Sequence, residues 1–168
     1  MPNYITNKLM ILGTDKQIEE VMNFIKIEKT ETNKDVFGAG TIDFNKITPM
    51  PQWVYKGNLS IKEEEKYGKE NCWYEWCIKN WGTKWNAFKQ LDKRNTKNAL
   101  YFETAWGGVP VLISKLAWIF PNVIIKYGWA DEDFGYNVGE LTYKDTEILE
   151  SIKPQGGSKE AYELALSI

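Results

Sequence analysis

Alternating apolar segments and amphipathic helices follow one another twice, over residues 4–47 and again from residue 99, with a tryptophan-rich stretch between the two runs. Two β-α-β units joined by an insertion predict an α+β fold, a ferredoxin-like split β-α-β sandwich whose antiparallel sheet carries helices on one face. The chain has 168 residues, 43% apolar and 26% charged, which suits one globular domain over residues 1–168. Within it we expect a Trp-rich helical insertion at residues 52–98, an extra C-terminal hairpin, and a helical extension at residues 154–168.

Tyr4 to Leu12 alternates, with Ile5, Asn7, Leu9 and Ile11 on one face, and predicts the first strand. Gly13 ends it, and Thr14 with Gln17 has the spacing of a capping box before Ile18, Val21, Met22 and Ile25 recur at helical intervals. Thr41 to Ile47 predicts a second short strand, closed by Pro49 and Pro51. The charged segment SIKEEEKYGKEN reads as a solvated helix. Residues 71–81 predict a helix with a wide apolar arc of Cys72, Trp73, Tyr74, Trp76, Cys77, Ile78 and Trp81, stopped by Gly82. Asn80 falls inside that arc, so its amide is expected to tie the helix to a neighbouring loop.

ALYFETAW alternates Leu100, Phe102, Thr104 and Trp106 against Ala99, Tyr101, Glu103 and Ala105, and Gly107-Gly108 leads into a helix with Pro110 in its first turn. Val111 and Trp118 project away from that helix's apolar side, and the expectation is that the insertion covers Trp118 through Trp76 or Trp81. NVIIKYGWA, an acidic tip and GYNVGELTY predict a hairpin. A last helix starts near Ser158, with Leu164 and Leu166 as its apolar contacts.

Composition narrows the chemistry. There is no histidine, which excludes Ser-His-Asp and Cys-His catalysis and His-ligated zinc within one chain. A net charge of −2 argues against a broad basic surface for duplex DNA or anionic membrane. No secretory signal pattern opens the sequence, and the longest apolar run, residues 109–120, is shorter than the roughly 20 residues a bilayer span requires. The expectation is a cytoplasmic protein of a bacterial host with no membrane partner. Cys72 and Cys77 match neither a redox nor a zinc pattern and read as two reduced thiols. No glycine-rich phosphate loop is present, and no cofactor is expected.

Three segments carry candidate sites. NWGTKWNA offers Trp81 and Trp85 as an aromatic platform with Lys84 for charge, set against the plainer reading that both indoles plug the junction between insertion and sheet. The open sheet face offers Tyr101, which would stack a base as in RNA-recognition modules, but Glu103 shares its face and no basic, glycine-rich and aromatic run surrounds it. Trp129 belongs to the same set of interaction candidates. Asp131, Glu132 and Asp133 are weak candidates for a hard cation, without calcium-loop spacing. Glu103 beside Tyr101, and Lys126 beside Tyr127, have the residue types of acid-base catalysis but no pattern that makes them converge.

TIDFNKITPMP, the Trp-rich helix running into NWGTKWNA, and FETAWGGVPVLISKLAWIFPNVIIKYGWADEDFGYNVGEL occur in that order, and together they resemble the YubB-like, ferredoxin-like proteins of plasmids, bacteriophages and integrated elements. The resemblance covers residues 1–145 and implies the fold and a mobile-element origin without implying a reaction. With the aromatic excess of eight Trp, nine Tyr and seven Phe, it makes a protein-interaction module, engaging an unidentified protein partner and interfering with a host defence system, the leading expectation. Single-stranded nucleic-acid or nucleotide binding on the sheet face is the alternative, followed by a carboxylate-dependent enzyme.

Overall fold

The computed structural model describes residues 1–168. Five antiparallel strands, β1 (Tyr4–Leu12), β2 (Ala99–Ala105), β3 (Ile124–Asp131), β4 (Gly139–Lys144) and β5 (Glu147–Ile152), form one sheet in the order β2-β1-β3-β4-β5. The helices are α1 (Asp15–Ile25), α2 (Phe44–Ile47), α3 (Ile61–Tyr67), α4 (Trp73–Trp81), α5 (Pro110–Ile119) and α6 (Lys159–Ser167). The ferredoxin-like α+β sandwich is therefore present.

Alternation decides which face of the sheet is buried. Ile5, Asn7, Leu9 and Ile11 of β1 are fully buried on the side that meets α1 and α5, where Leu100, Phe102, Ile125, Tyr127, Leu141 and Tyr143 join them. Helix α1 starts in the expected capping box, with the Thr14 side chain accepting from the Gln17 N–H and the Gln17 side chain accepting from the Thr14 N–H. Its Ile18, Val21 and Ile25 complete the inner layer. Buried Asn7 is satisfied in full: Nδ2 donates to Ile5 O, Phe102 O and Thr104 Oγ1, and Oδ1 accepts from Tyr127 Oη at 2.6 Å.

The expected strand at Thr41–Ile47 is not formed. Asp43 caps a short helix instead, its carboxylate accepting from the Asn45 N–H, and α2 follows before Pro49. The crossover β2-α5-β3, which straddles β1, is the one complete β-α-β unit. Where a further strand would flank β2 there is a single bridge, with Phe88 and Glu103 exchanging two backbone hydrogen bonds of 2.8 and 3.1 Å. Strand β5 was not legible in advance, since all six of its residues are exposed and no burial alternation marks it.

Three further expectations fail. Trp118 is 61% exposed and Val111 69% exposed, because α2 and α4 pack on another side of α5 and leave this stripe uncovered. Asn80 Nδ2 donates to Trp76 O one turn earlier and not to a loop. On α6 Leu164 packs as expected, against a cluster of Ala161, Ala165 and Ile168 with Ala130 and Val138 on the outer sheet face, but Leu166 faces solvent. Gly128 makes that docking fit, because an added Cβ would stand 3.0 Å from two carbons of Ile168. No helix is long and apolar enough to cross a membrane.

Candidate functional site

Segment 83–88 runs back beside the end of β2. Thr83 Oγ1 donates to Ala105 O and accepts from the Ala105 N–H, and Phe88 bridges Glu103, so Lys84 and Trp85 are suspended between two fixed points. Asn86 and Gln90 anchor the loop at residues 38–44 on the same segment. Asn86 Oδ1 accepts from the Phe44 N–H while Nδ2 donates to Asp43 at 2.6 Å, and Gln90 Oε1 accepts from the Ile42 N–H while Nε2 donates to Ile42 O. Phe37 is thereby held against Trp85.

Beyond β2 the chain turns at Trp106, whose backbone takes the left-handed conformation at φ 70°. That turn, and not the strand alternation that would bury it beside Phe102, decides where the indole goes. It is pinned on both sides, the Trp106 N–H donating to Asn3 O and the Trp106 carbonyl accepting from Asn137 Nδ2. Behind it Thr104 Oγ1 donates to Gly107 O, and the Val109 N–H donates to the buried Tyr127 hydroxyl. The indole is left 42% exposed.

These pieces make one aromatic ribbon. Tyr74 meets Trp106 edge to face at 6.0 Å, Trp85 meets Phe37 at 5.7 Å, Phe37 stacks on Phe88 at 4.9 Å, and Phe88 meets Tyr4 at 5.4 Å. Lys84 bridges the gap, with Nζ 4.5 Å from the Trp85 ring centre, 5.3 Å from Trp106 and 5.9 Å from Tyr74. It has no carboxylate within ion-pair distance. Lys89 lies 4.6 Å over Tyr4 and pairs with Glu103 at 2.9 Å, and that hydrogen-bonded carboxylate holds its ammonium above the usual lysine range. A hollow of about 400 Å³ opens beside Phe37, Trp85 and Tyr4, with Lys29, Lys34 and Asp35 on its wall. A second, of about 450 Å³, shares Lys29 and Lys89 with it and reaches Arg94.

The expected site residues separate accordingly. Lys84 and Trp85 are brought together, whereas Glu103 is paired with Lys89 further along the ribbon. Trp81 is not available as a platform, being buried against Trp76 and Phe44 with Nε1 donating to Thr48 O, and only the plug reading holds for it. Trp129 is buried and stacked on Tyr127 at 5.6 Å. Tyr101 is buried on the outer sheet face with the Arg94 guanidinium 4.0 Å over its ring, so no base can stack there as the chain stands. Asp131 is committed to Asn3, Asn137 and the Asp133 N–H, Glu132 accepts from the Tyr4 N–H, and neither they nor Asp133 belong to a group of three metal-ligating side chains. Buried Cys72 and Cys77 are free thiols.

Sequence reading missed Trp106, Phe37, Tyr74, Phe88 and Tyr4. Phe37 carried a usable signal, as a lone aromatic in a polar stretch that has no core pattern to explain it. Trp106 carried none, because a tryptophan in a left-handed turn has no sequence signature.

No curated protein matches the sequence. The fold is similar to the crystal structure of protein api92 from Yersinia pseudotuberculosis, with a TM-score of 0.50 and 9% identity over 94% of this chain and 100% of that one. At that identity the likeness concerns the fold alone. Residues 80–167, just over half of the chain, match the family described as the ferredoxin-like domain in Api92-like protein. They contain β2 through α6 and the Lys84, Trp85 and Trp106 part of the ribbon, and on that match the chain belongs to the family of ferredoxin-like domains in Api92-like proteins.

Proposed function

We propose that the chain is a non-enzymatic protein-recognition module that engages its partner through the aromatic ribbon. One observation carries this reading: Trp106 is held in a left-handed turn, its backbone pinned by Asn3 and Asn137, with its indole at the surface beside Lys84 and Trp85. Rigid, half-exposed indoles beside cations are what protein interfaces use as anchors, because a large apolar area is buried with little loss of side-chain freedom. Two buried titratable groups, Cys77 and Tyr127, are shut away from solvent. Burial pushes the Cys77 thiol up to about 12, and the Tyr127 hydroxyl is enclosed between Asn7 and Val109. Base stacking on the sheet face, the other reading, loses support from Arg94 lying over Tyr101. The resemblance to YubB-like proteins supports a place on a phage or other mobile element, with interference in a host defence system as the corresponding role.

The test is capture from bacterial lysate by the full chain, compared with Trp85→Ala, Trp106→Ala and, as a control on α5, Trp118→Ala. The expected result is a protein retained by the parent and by Trp118→Ala and lost by the two ribbon variants, all four with unchanged circular dichroism. Equal capture by folded ribbon variants would remove the reading.

A further inference from the structure

We infer that the partner segment received by the ribbon is acidic, with carboxylates directed at Lys84 and Lys29 and an aliphatic side chain in the hollow beside Phe37. The inference rests on the protein-recognition reading above and adds the chemistry of the occupant. Its first basis is charge. Neither Lys84 nor Lys29 has a carboxylate within ion-pair distance, and the hollow is lined by three lysines, Lys29, Lys34 and Lys89, against one carboxylate, Asp35. Lys84 is held instead by three ring faces, which leave its N–H donors unsatisfied by the protein.

The second basis is which part of each ring is free. Lys84 sits over Trp85, Lys89 over Tyr4, and Phe88 is stacked on Phe37, so one flat face of each of these rings is already engaged. Nucleobases need faces, and carboxylates do not. Ring edges carry the positive end of the quadrupole, and an arriving carboxylate would meet those edges and the ammonium together while Lys84 keeps its ring contacts. The hollow beside them, bounded by Val36, Phe37 and Trp85, is large enough for an aliphatic side chain and supplies apolar walls. An acidic-aliphatic segment is thus complementary in charge and shape where a basic or purely polar one is not.

A random-peptide display library panned on the immobilised full chain tests this, with bound clones re-measured as synthetic peptides against Lys84→Gln, Lys29→Gln and Trp106→Ala. Enriched clones should carry Asp or Glu next to Leu, Ile or Val, and should weaken with added salt. Each should lose about tenfold in affinity with Lys84→Gln, the effect of one charge-assisted hydrogen bond. Clones that need Trp106 but are neutral or basic, or that ignore Lys84→Gln, would overturn the acidic occupant and leave the recognition reading standing. Clones indifferent to Trp106→Ala, or no clones, would remove both. A single-stranded oligothymidine that binds the parent and is lost in Trp106→Ala would overturn the inference in favour of nucleic acid.

Discussion

Trp106 and Trp81 are the same residue type put to opposite uses. Trp106 holds a left-handed backbone, which costs a non-glycine residue about 1–2 kcal/mol, and leaves much of its ring in water. Trp106→Gly would relieve that strain while losing a half-exposed contact, so its stability in urea should stay within about 1 kcal/mol of the parent although ribbon binding is lost. Trp81→Ala should instead cost about 3–5 kcal/mol, because a fully packed indole and its bond to Thr48 O disappear together. Equal losses for the two would contradict the division into anchor and plug. Cys77 makes a different prediction. Its thiol is raised by burial from 9.0 to about 12, so the unfolded chain ionises first as the medium turns alkaline. The sign follows from that order. The contribution of Cys77 is fully present below about pH 9 and is lost progressively as pH rises towards 12. Urea midpoints of the parent and Cys77→Ala should therefore converge between about pH 8 and about pH 10.5, whereas parallel curves would mean the thiol is not shielded.

At the level of elements, the connection from α1 to α4 replaces a sheet edge with side-chain amides. Asn86 and Gln90 supply the partners that an adjacent strand would have supplied to the backbone at Ile42 and Phe44. Asn86→Ala would leave the Asp43 carboxylate and the Phe44 N–H short of a partner in a buried place, a loss of about 2–4 kcal/mol in chemical denaturation. Asn86→Asp should be worse, since it sets a second carboxylate where Nδ2 now stands 2.6 Å from Asp43. Adding Asp43→Asn to Asn86→Asp should recover part of the loss, and a double variant no better than Asn86→Asp would show that the pair does not act as a unit. These bonds also explain what could be read in advance. Strand β1 and helices α1, α4 and α5 announce themselves by burial period and caps contained within the element. The loop at residues 38–44 does not, because its partners lie more than forty positions later in the chain and an Asp that caps a helix looks the same inside an alternating run. The candidate site suffers most from this, since Lys84 and Trp85 stand together as a motif while Phe37 reaches them through those tertiary bonds and Trp106 through its left-handed turn between Asn3 and Asn137.

On the scale of the whole molecule the two faces of the sheet are unequally secured. The inner face joins α1, α2, α4 and α5 in a single buried cluster of 27 residues, whereas α6 covers the outer face through a separate cluster of five. Few buried apolar contacts mean a low local free energy of opening, so α6 should detach before the inner layer unfolds. Two polar ties reinforce the small cluster, Lys8 donating to Ser167 O and Arg94 to Ile168 O. Both lie at the surface or near it, where such bonds contribute little. Native-state hydrogen exchange tests the ranking. Amides of Tyr162 to Ala165 should exchange through an opening that costs less than that of Leu9 and Ile11 in β1, and Ile168→Ala, which empties the contact on Gly128, should speed the first set and leave the second unchanged. If α6 instead exchanged only with global unfolding, the outer helix would be as much a part of the cooperative core as α5, and the outer face would be closed for as long as the protein is folded.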